Sequence, residues 1–209
     1  MPDIADFRVE DWGLIEYPAC HEEQLAYRDK RLNNEIPDTL ALLEHPAVIT
    51  MGRRGDRDHS IINPGPVPVV QTERGGDVTY HGPGQLVGYF FYKFREGEAV
   101  PDFVHWIESL IIDLLSDFGI NAVRHEKHIG VWIDNGQSGL SKICSVGIAV
   151  HHAVTMHGFA LNINNDLRDF SRINPCGLNS SIMTSMAMLC GNAPRLEDVK
   201  AALMAKSAI

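Results

Sequence analysis

Seven short apolar runs, broken by Gly, Pro, Asn and Asp and interleaved with only two or three helical patterns, constrain this chain more than any other feature. They are TLALLEH and AVITMG within 39–52, VPVVQT at 67–72, QLVGYFFYKF at 85–94, IGVWID at 129–134, KICSVGIAV at 142–150 and FALNI at 159–163. Rich in β-branched and aromatic residues, they read as strands. The clearest helix is 100–119, where Phe103, Ile107, Leu110, Ile111, Leu114 and Phe118 recur at helical spacing between Pro101 and Gly119. Residues 21–34 read as an amphipathic helix carrying Leu25, Tyr27, Arg28 and Leu32, and 194–206 as a last helix with Leu196, Val199 and Leu203 on one face. Strict β-α-β alternation is missing, which favours an α+β domain with a mixed β-sheet flanked by helices. With no repeat, low-complexity tract or compositional break, residues 1–209 read as a single domain.

The balance of residues limits the partners. An apolar fraction of 44% with 22% charge is that of a globular protein and argues against disorder. A formal net charge of −9 argues against duplex nucleic acid as the main partner, since neutralising phosphates needs a positive surface. GRRGDR at 52–57 is the local basic exception. The acidic N-terminus MPDIADFRVEDW has no secretory core, and no apolar run approaches the ~18 residues that span a bilayer. The expected location is therefore cytoplasmic, with no membrane partner. Cys20, Cys144, Cys176 and Cys190 form no CxxC pair and read as free thiols in a reducing compartment.

RGGDVTYHGPGQ, at 74–85, places four glycines immediately before an apolar run. It is not a P-loop, because no lysine follows Gly82 and Gly84 at the required place. Nor is it a dinucleotide fingerprint, because Val87 stands where the third glycine should be. Turn chemistry and close approach of a ligand to the main chain both fit it. The ten histidines give no metal motif: HEKH at 125–128 lacks the i, i+4 spacing, HEEQL at 21–25 has no second histidine, and of His151, His152 and His157, which could converge, the first two would point to opposite faces of a strand. No metal is expected.

INPCGLNSS sets Cys176 between Pro175 and Gly177, on a bend where backbone N–H groups could face an oxyanion. A buried turn cysteine and a nucleophile both suit that setting.

Three blocks in order, RGGDVTYHGPGQLVGY, then KICSVG followed by MHGFALNI, then INPCG, resemble the lipoyl(octanoyl) transferase family. The similarity runs from about Leu43 to about Ser185. One departure is mild: Cys144 and Ser145 stand where that family usually carries two small residues. The resemblance implies the catalytic fold of biotin and lipoate protein ligases. It also implies transfer of an octanoyl group from octanoyl-acyl carrier protein to a lysine of lipoyl domains, those of 2-oxoacid dehydrogenase E2 subunits and of the glycine cleavage H protein. Cys176 would carry the thioacyl intermediate and Lys142 would be its acid/base partner. Arg74, Gly75, Gly76, Asp77, Val78, Thr79, Tyr80 and His81 would line the acyl pocket opposite Ser145, Val146, Gly147, Gly158, Phe159 and Ala160. No cofactor and no nucleotide is implied.

The implied chemistry is physically coherent. Reference pKa values near ~8.5 for cysteine and ~10.4 for lysine already favour thiolate plus ammonium by roughly 2.6 kcal/mol. The ammonium stabilises the thiolate further, can protonate a departing thiolate, and as an amine can take a proton from the acceptor lysine. Missing Cβ atoms at Gly75, Gly76, Gly147 and Gly158 would open a slot, in which a medium acyl chain contributes about 4–5 kcal/mol. His81 has two readings, orienting the thioester or holding the loop. Arg53, Arg54 and Arg57 have two readings as well, a solvated charged loop or a contribution to docking an acidic carrier protein. The competing readings are an ATP-dependent lipoate or biotin ligase, a non-catalytic acyl- or carrier-binding module, and a cysteine hydrolase.

Overall fold

The run QLVGYFF is unbroken rather than alternating because both of its faces are covered. Leu86 and Phe90 join one core, and Val87, Tyr89 and Phe91 join another on the opposite face. In the computed structural model, which describes residues 1–174, 182–191 and 194–207, this run is a central strand.

The elements follow in chain order: β1 (Arg8–Leu14), α1 (Tyr17–Leu32), β2 (Thr39–Glu44), β3 (Val48–Met51), the single turn α2 (Arg57–Ser60), β4 (Val69–Gln71), β5 (Val78–His81) and β6 (Gln85–Phe91). Then come α3 (Val100–Asp117), β7 (Ala122–Arg124), β8 (Val131–Asp134), β9 (Leu140–His151), β10 (Val154–Asn162), the short α4 (Met186–Leu189) and α5 (Leu196–Ser207). A seven-stranded sheet has the order β1-β2-β6-β10-β9-β8-β7, parallel only between β1 and β2. A smaller sheet, β4-β3-β5, carries one parallel and one antiparallel pair. The mixed sheets flanked by helices match the architecture expected from the sequence.

α3 lays Phe103, Ile107, Ile111 and Leu114 on the large sheet, and α5 adds Leu196, Val199 and Leu203 to the same core. On the other face, α1 buries Tyr17, Cys20 and Gln24, one stripe at helical spacing. This helix begins four residues before the expected start. Leu25 and Leu32, expected on its apolar side, are only half-buried. The inward face contains the polar Gln24 because its Oε1 accepts the backbone N–H of His157, 3.1 Å away. A third core, with Ile49, Val78, Tyr80, Phe170 and Ile173, binds the small sheet to the segment after β10.

Three strands lie outside the runs read from the sequence, among them the three-residue, mostly exposed β7. β1 is a polar, half-exposed edge, and β5 lies inside the glycine-rich stretch, where VTYH pairs with β3. Among the described residues, no helix is long and apolar enough to cross a membrane.

Candidate active site

β9 and β10 pair so that Ser145 stands opposite Ala160 and Gly147 opposite Gly158. Paired residues share a face and alternate residues return to it, so two small side chains and two bare glycines pave one strip of the sheet. The Arg74–Gly76 segment lies against that strip. Gly75 donates its N–H to the Ile148 carbonyl at 2.8 Å, and a Cβ on Gly147 would stand 3.0 Å from the Gly75 oxygen. Backbone meets backbone here, and side chains at these glycines would fill the gap.

A cavity of about 630 Å³ opens between these elements. Of the residues expected to form a pocket, Arg74, Gly75, Gly76, Asp77, Val78, Thr79, His81, Ser145, Val146, Gly147, Gly158, Phe159 and Ala160 line it, as does Lys142. Tyr80 is not among them: its ring packs edge-on against Phe170, and its hydroxyl donates to Asp169 Oδ2 at 3.0 Å. The rim includes Val100 and Val104 of α3, Lys127, His128 and Ile129, Arg54, and Ile182 with Met183.

Lys142 is aimed by its strand. Between β8 and β9 the register shifts, Val131 facing Cys144 and Trp132 facing Lys142, so Ile143 is the extra residue of a bulge. The Lys142 ammonium donates to the Ile129 carbonyl at 2.9 Å and lies 5.2 Å from the centre of the Trp132 ring. Gly130, at φ +127°, makes room: a Cβ there would stand 2.6 Å from Lys142 Cε. The Lys142 carbonyl accepts the N–H of Thr184 at 2.9 Å, which ties the chain after position 181 to β9. Cys176 lies outside the described residues. Before it, Asn174 donates its N–H to the Ser60 carbonyl at 2.8 Å, and Ile173 bridges to Ile61. Ser60 in turn donates from Oγ to Asp77 at 2.7 Å.

The opposite part of the wall is polar and tightly bonded. Arg74 is buried; its Nη2 donates to the carbonyl and the hydroxyl of Thr50 at 2.7 and 3.0 Å. His81 has Nδ1 2.8 Å from Gln85 Oε1, and the Gln85 amide nitrogen donates to the Tyr80 carbonyl and Asn162 Oδ1. Those bonds orient the amide, so Nδ1 carries the proton and Nε2 accepts from Thr50 Oγ1 at 3.3 Å. Burial first, and then the neighbouring His45, hold the His81 pKa well below its ordinary value, so the ring is neutral. His45, also pushed down by burial to about 4, donates from Nδ1 to the Ile15 carbonyl and accepts from the Tyr89 hydroxyl.

His157, which the sequence offers only beside His151 and His152 and as a member of MHGFALNI, faces this cavity. It pairs with Ile148, which belongs to the α3-side core, but its ring meets Tyr89 and His21 on the α1 side. A φ of +62°, unusual for a residue with a side chain, accounts for the reversal. Glu73 accepts from His157 Nε2 at 3.2 Å and from His21 Nε2 at 3.1 Å. Those bonds, that to His157 foremost, hold the Glu73 pKa down at about 2 despite partial burial. Among the described residues, His21, Glu73 and His157 are the one group with metal-ligand composition and atoms within 4.8 Å. Each imidazole already donates to the carboxylate, so the cluster is satisfied by its own hydrogen bonds.

A small-residue strip, a lysine at one edge of a cavity, and a chain tied to that wall at Asn174 and to that lysine at Thr184 are parts suited to acyl transfer. The model of the lipoyl protein ligase A/B catalytic domain matches residues 20–208. The chain belongs to this family. It is 42% identical over 197 residues to the octanoyltransferase of Pelobacter propionicus, spanning 92% of this chain and 89% of that one. It is 47% identical over 195 residues to the octanoyltransferase of Caldicellulosiruptor bescii, spanning 90% and 83%. As a family member with such relatives, the protein is an enzyme, an acyltransferase. The fold recurs in a lipoate-protein ligase A solved with ATP, at a TM-score of 0.73 and 14% identity, covering 96% of this chain and 83% of that one. It recurs also in the biotin protein ligase of Aquifex aeolicus, at 0.53 and 11%, covering 97% and 68%.

Proposed function

We propose that this family member, a single catalytic domain over residues 1–209, transfers an octanoyl group from octanoyl-acyl carrier protein to a lysine of lipoyl domains. These are the domains of 2-oxoacid dehydrogenase E2 subunits and the glycine cleavage H protein. The transfer passes through a thioester on Cys176, in the cytoplasm, without ATP. The observation that carries the reading is Lys142, whose ammonium is held at the edge of a cavity floored by Ser145, Gly147, Gly158 and Ala160.

In the first half-reaction the Cys176 thiolate attacks the donor thioester, the pantetheine C–S bond breaks, and the Lys142 ammonium gives its proton to the departing sulfur. In the second, the acceptor amine attacks the Cys176 thioester, the neutral Lys142 amine takes the proton, and the thiolate is restored. Thioester exchange is nearly balanced and amide formation is downhill, so no activating nucleotide enters. The anchors on both sides of the Cys176 segment support this reading: Asn174 is tied to Ser60, which reaches Asp77 of the cavity wall, and Thr184 is tied to Lys142 itself. Exposed Arg53, Arg54 and Arg57, with Arg54 and Lys127 at the cavity, supply positive charge for an acidic donor on a protein of net charge −9.

The test mixes the protein with octanoyl-carrier protein and a lipoyl domain in the absence of ATP. An octanoylated lipoyl-domain lysine is expected. Octanoylation that appears only with free octanoate and ATP, and persists in Cys176→Ala, would instead identify an adenylating ligase.

A further inference from the structure

Glu108 is a carboxylate set into the apolar face of α3, its side chain only 4% exposed, with Val104, Ile107, Ile111 and Leu115 buried around it. A buried acid is costly unless its oxygens are engaged. Oε2 pairs with Arg124 Nε at 3.3 Å. Oε1 accepts the N–H of Gly130 at 2.8 Å.

That N–H belongs to the Ile129–Gly130 peptide, and the carbonyl of the same peptide accepts the Lys142 ammonium at 2.9 Å. The unit is planar, so its two polar ends face opposite partners and cannot turn independently. We propose that Glu108 is a positioning residue for Lys142, acting through the Ile129–Gly130 peptide clamped between them.

The carboxylate does two things in this arrangement. It fixes the orientation of the peptide, and therefore the place at which the ammonium finds its acceptor. It also polarises the peptide, making the Ile129 oxygen a stronger acceptor, as in any chain of linked hydrogen bonds. Gly130 is what permits the clamp, since its φ of +127° and missing Cβ bring the peptide against the lysine stem. The Trp132 ring adds a second, less directional restraint on the same ammonium.

This inference rests on the role given to Lys142 above, and a double-mutant cycle separates the two. Steady-state transfer from octanoyl-carrier protein is measured for Glu108→Ala, Glu108→Gln, Lys142→Ala and the two combinations with Lys142→Ala. Glu108→Ala is expected to lower kcat tenfold or more while KM for the carrier protein stays within twofold. Glu108→Gln, isosteric and still able to accept from Gly130, is expected to lose only three- to tenfold, and it carries the test if the alanine variant does not fold. On the Lys142→Ala background neither change is expected to cost more than a further twofold. Equal losses on both backgrounds, or a change confined to KM, would overturn the positioning role. A Lys142→Ala enzyme as fast as the parent would overturn the reading of Lys142, and the clamp with it.

Discussion

Glu73 holds His157 by a 3.2 Å hydrogen bond across 84 positions of sequence, and His157 meets it only because its backbone is left-handed at φ +62°. A strained residue inside a strand persists when its surroundings over-determine it. Here those surroundings are Gln24 at its N–H, Glu73 at its ring and Tyr89 edge-on beside it. Removing the carboxylate with Glu73→Ala is expected to raise KM for the acyl donor two- to fivefold and to change kcat less, because His157 shapes the wall of the cavity, away from the lysine. Steady-state kinetics on the donor checks it; a kcat loss at unchanged KM would place His157 in the chemistry instead.

The buried histidines set an acid limit on stability. His45 is held at about 4 and His81 well below its ordinary 6.5, both by burial first, so both are neutral in the fold. An unfolded chain takes up protons at these sites once the pH falls below about 6.5, and the native state does not. Stability is therefore complete above that value and declines as the pH drops toward 4, with His45 alone contributing about 3 kcal/mol. Glu73 acts in a lower window: its stabilisation is present above 4.5 and is lost as the pH falls toward 2. Urea denaturation at pH 7, 5.5 and 4.5 should show the decline, and His45→Gln should flatten it.

The Gly147 φ lies outside the left-handed region, so alanine there carries no left-handed penalty, while its methyl group would stand in tight contact, 3.0 Å from the Gly75 oxygen. The methyl group enters the slot. Gly147→Ala is expected to keep the melting temperature within a few degrees while lowering kcat/KM for octanoyl donor tenfold or more, and to penalise butyryl donor less. Competition between the two donors reads this directly.

Reversing charge at exposed Arg53 and Arg54 with Glu is expected to raise KM for the acidic donor about tenfold at low salt and to weaken its salt dependence. A KM that responds to salt as in the parent would remove these residues from docking.

The sequence shows most of the sheet because the runs that cross it are buried on both faces, as QLVGYFF is, and α3 because its apolar stripe recurs without a break from Phe103 to Leu115. VTYH was hidden because glycines on both sides read as turn chemistry, whereas its partner β3 lies some thirty residues earlier. The pocket glycines and Lys142 were legible as parts of motifs. Glu108 was not, and His157 was legible as a member of MHGFALNI but not as the wall residue that Glu73 holds. Nothing local tells that a histidine in a strand has a positive φ, or that a glutamate in an apolar helix face meets a peptide N–H 22 positions away. Tyr80 shows what a motif leaves out: membership of RGGDVTYH does not tell that its ring packs on Phe170 and its hydroxyl bonds Asp169.

The central claim is that Cys176 becomes acylated with the help of Lys142. Intact-mass spectrometry of the protein mixed with octanoyl-carrier protein alone, followed by peptide mapping, tests it most directly. One octanoyl adduct on Cys176 is expected, discharged when a lipoyl domain is added, absent in Cys176→Ser and formed at least a hundredfold more slowly in Lys142→Ala. An adduct on another residue, or octanoylated lipoyl domain produced by Cys176→Ser at the parent rate, would contradict it.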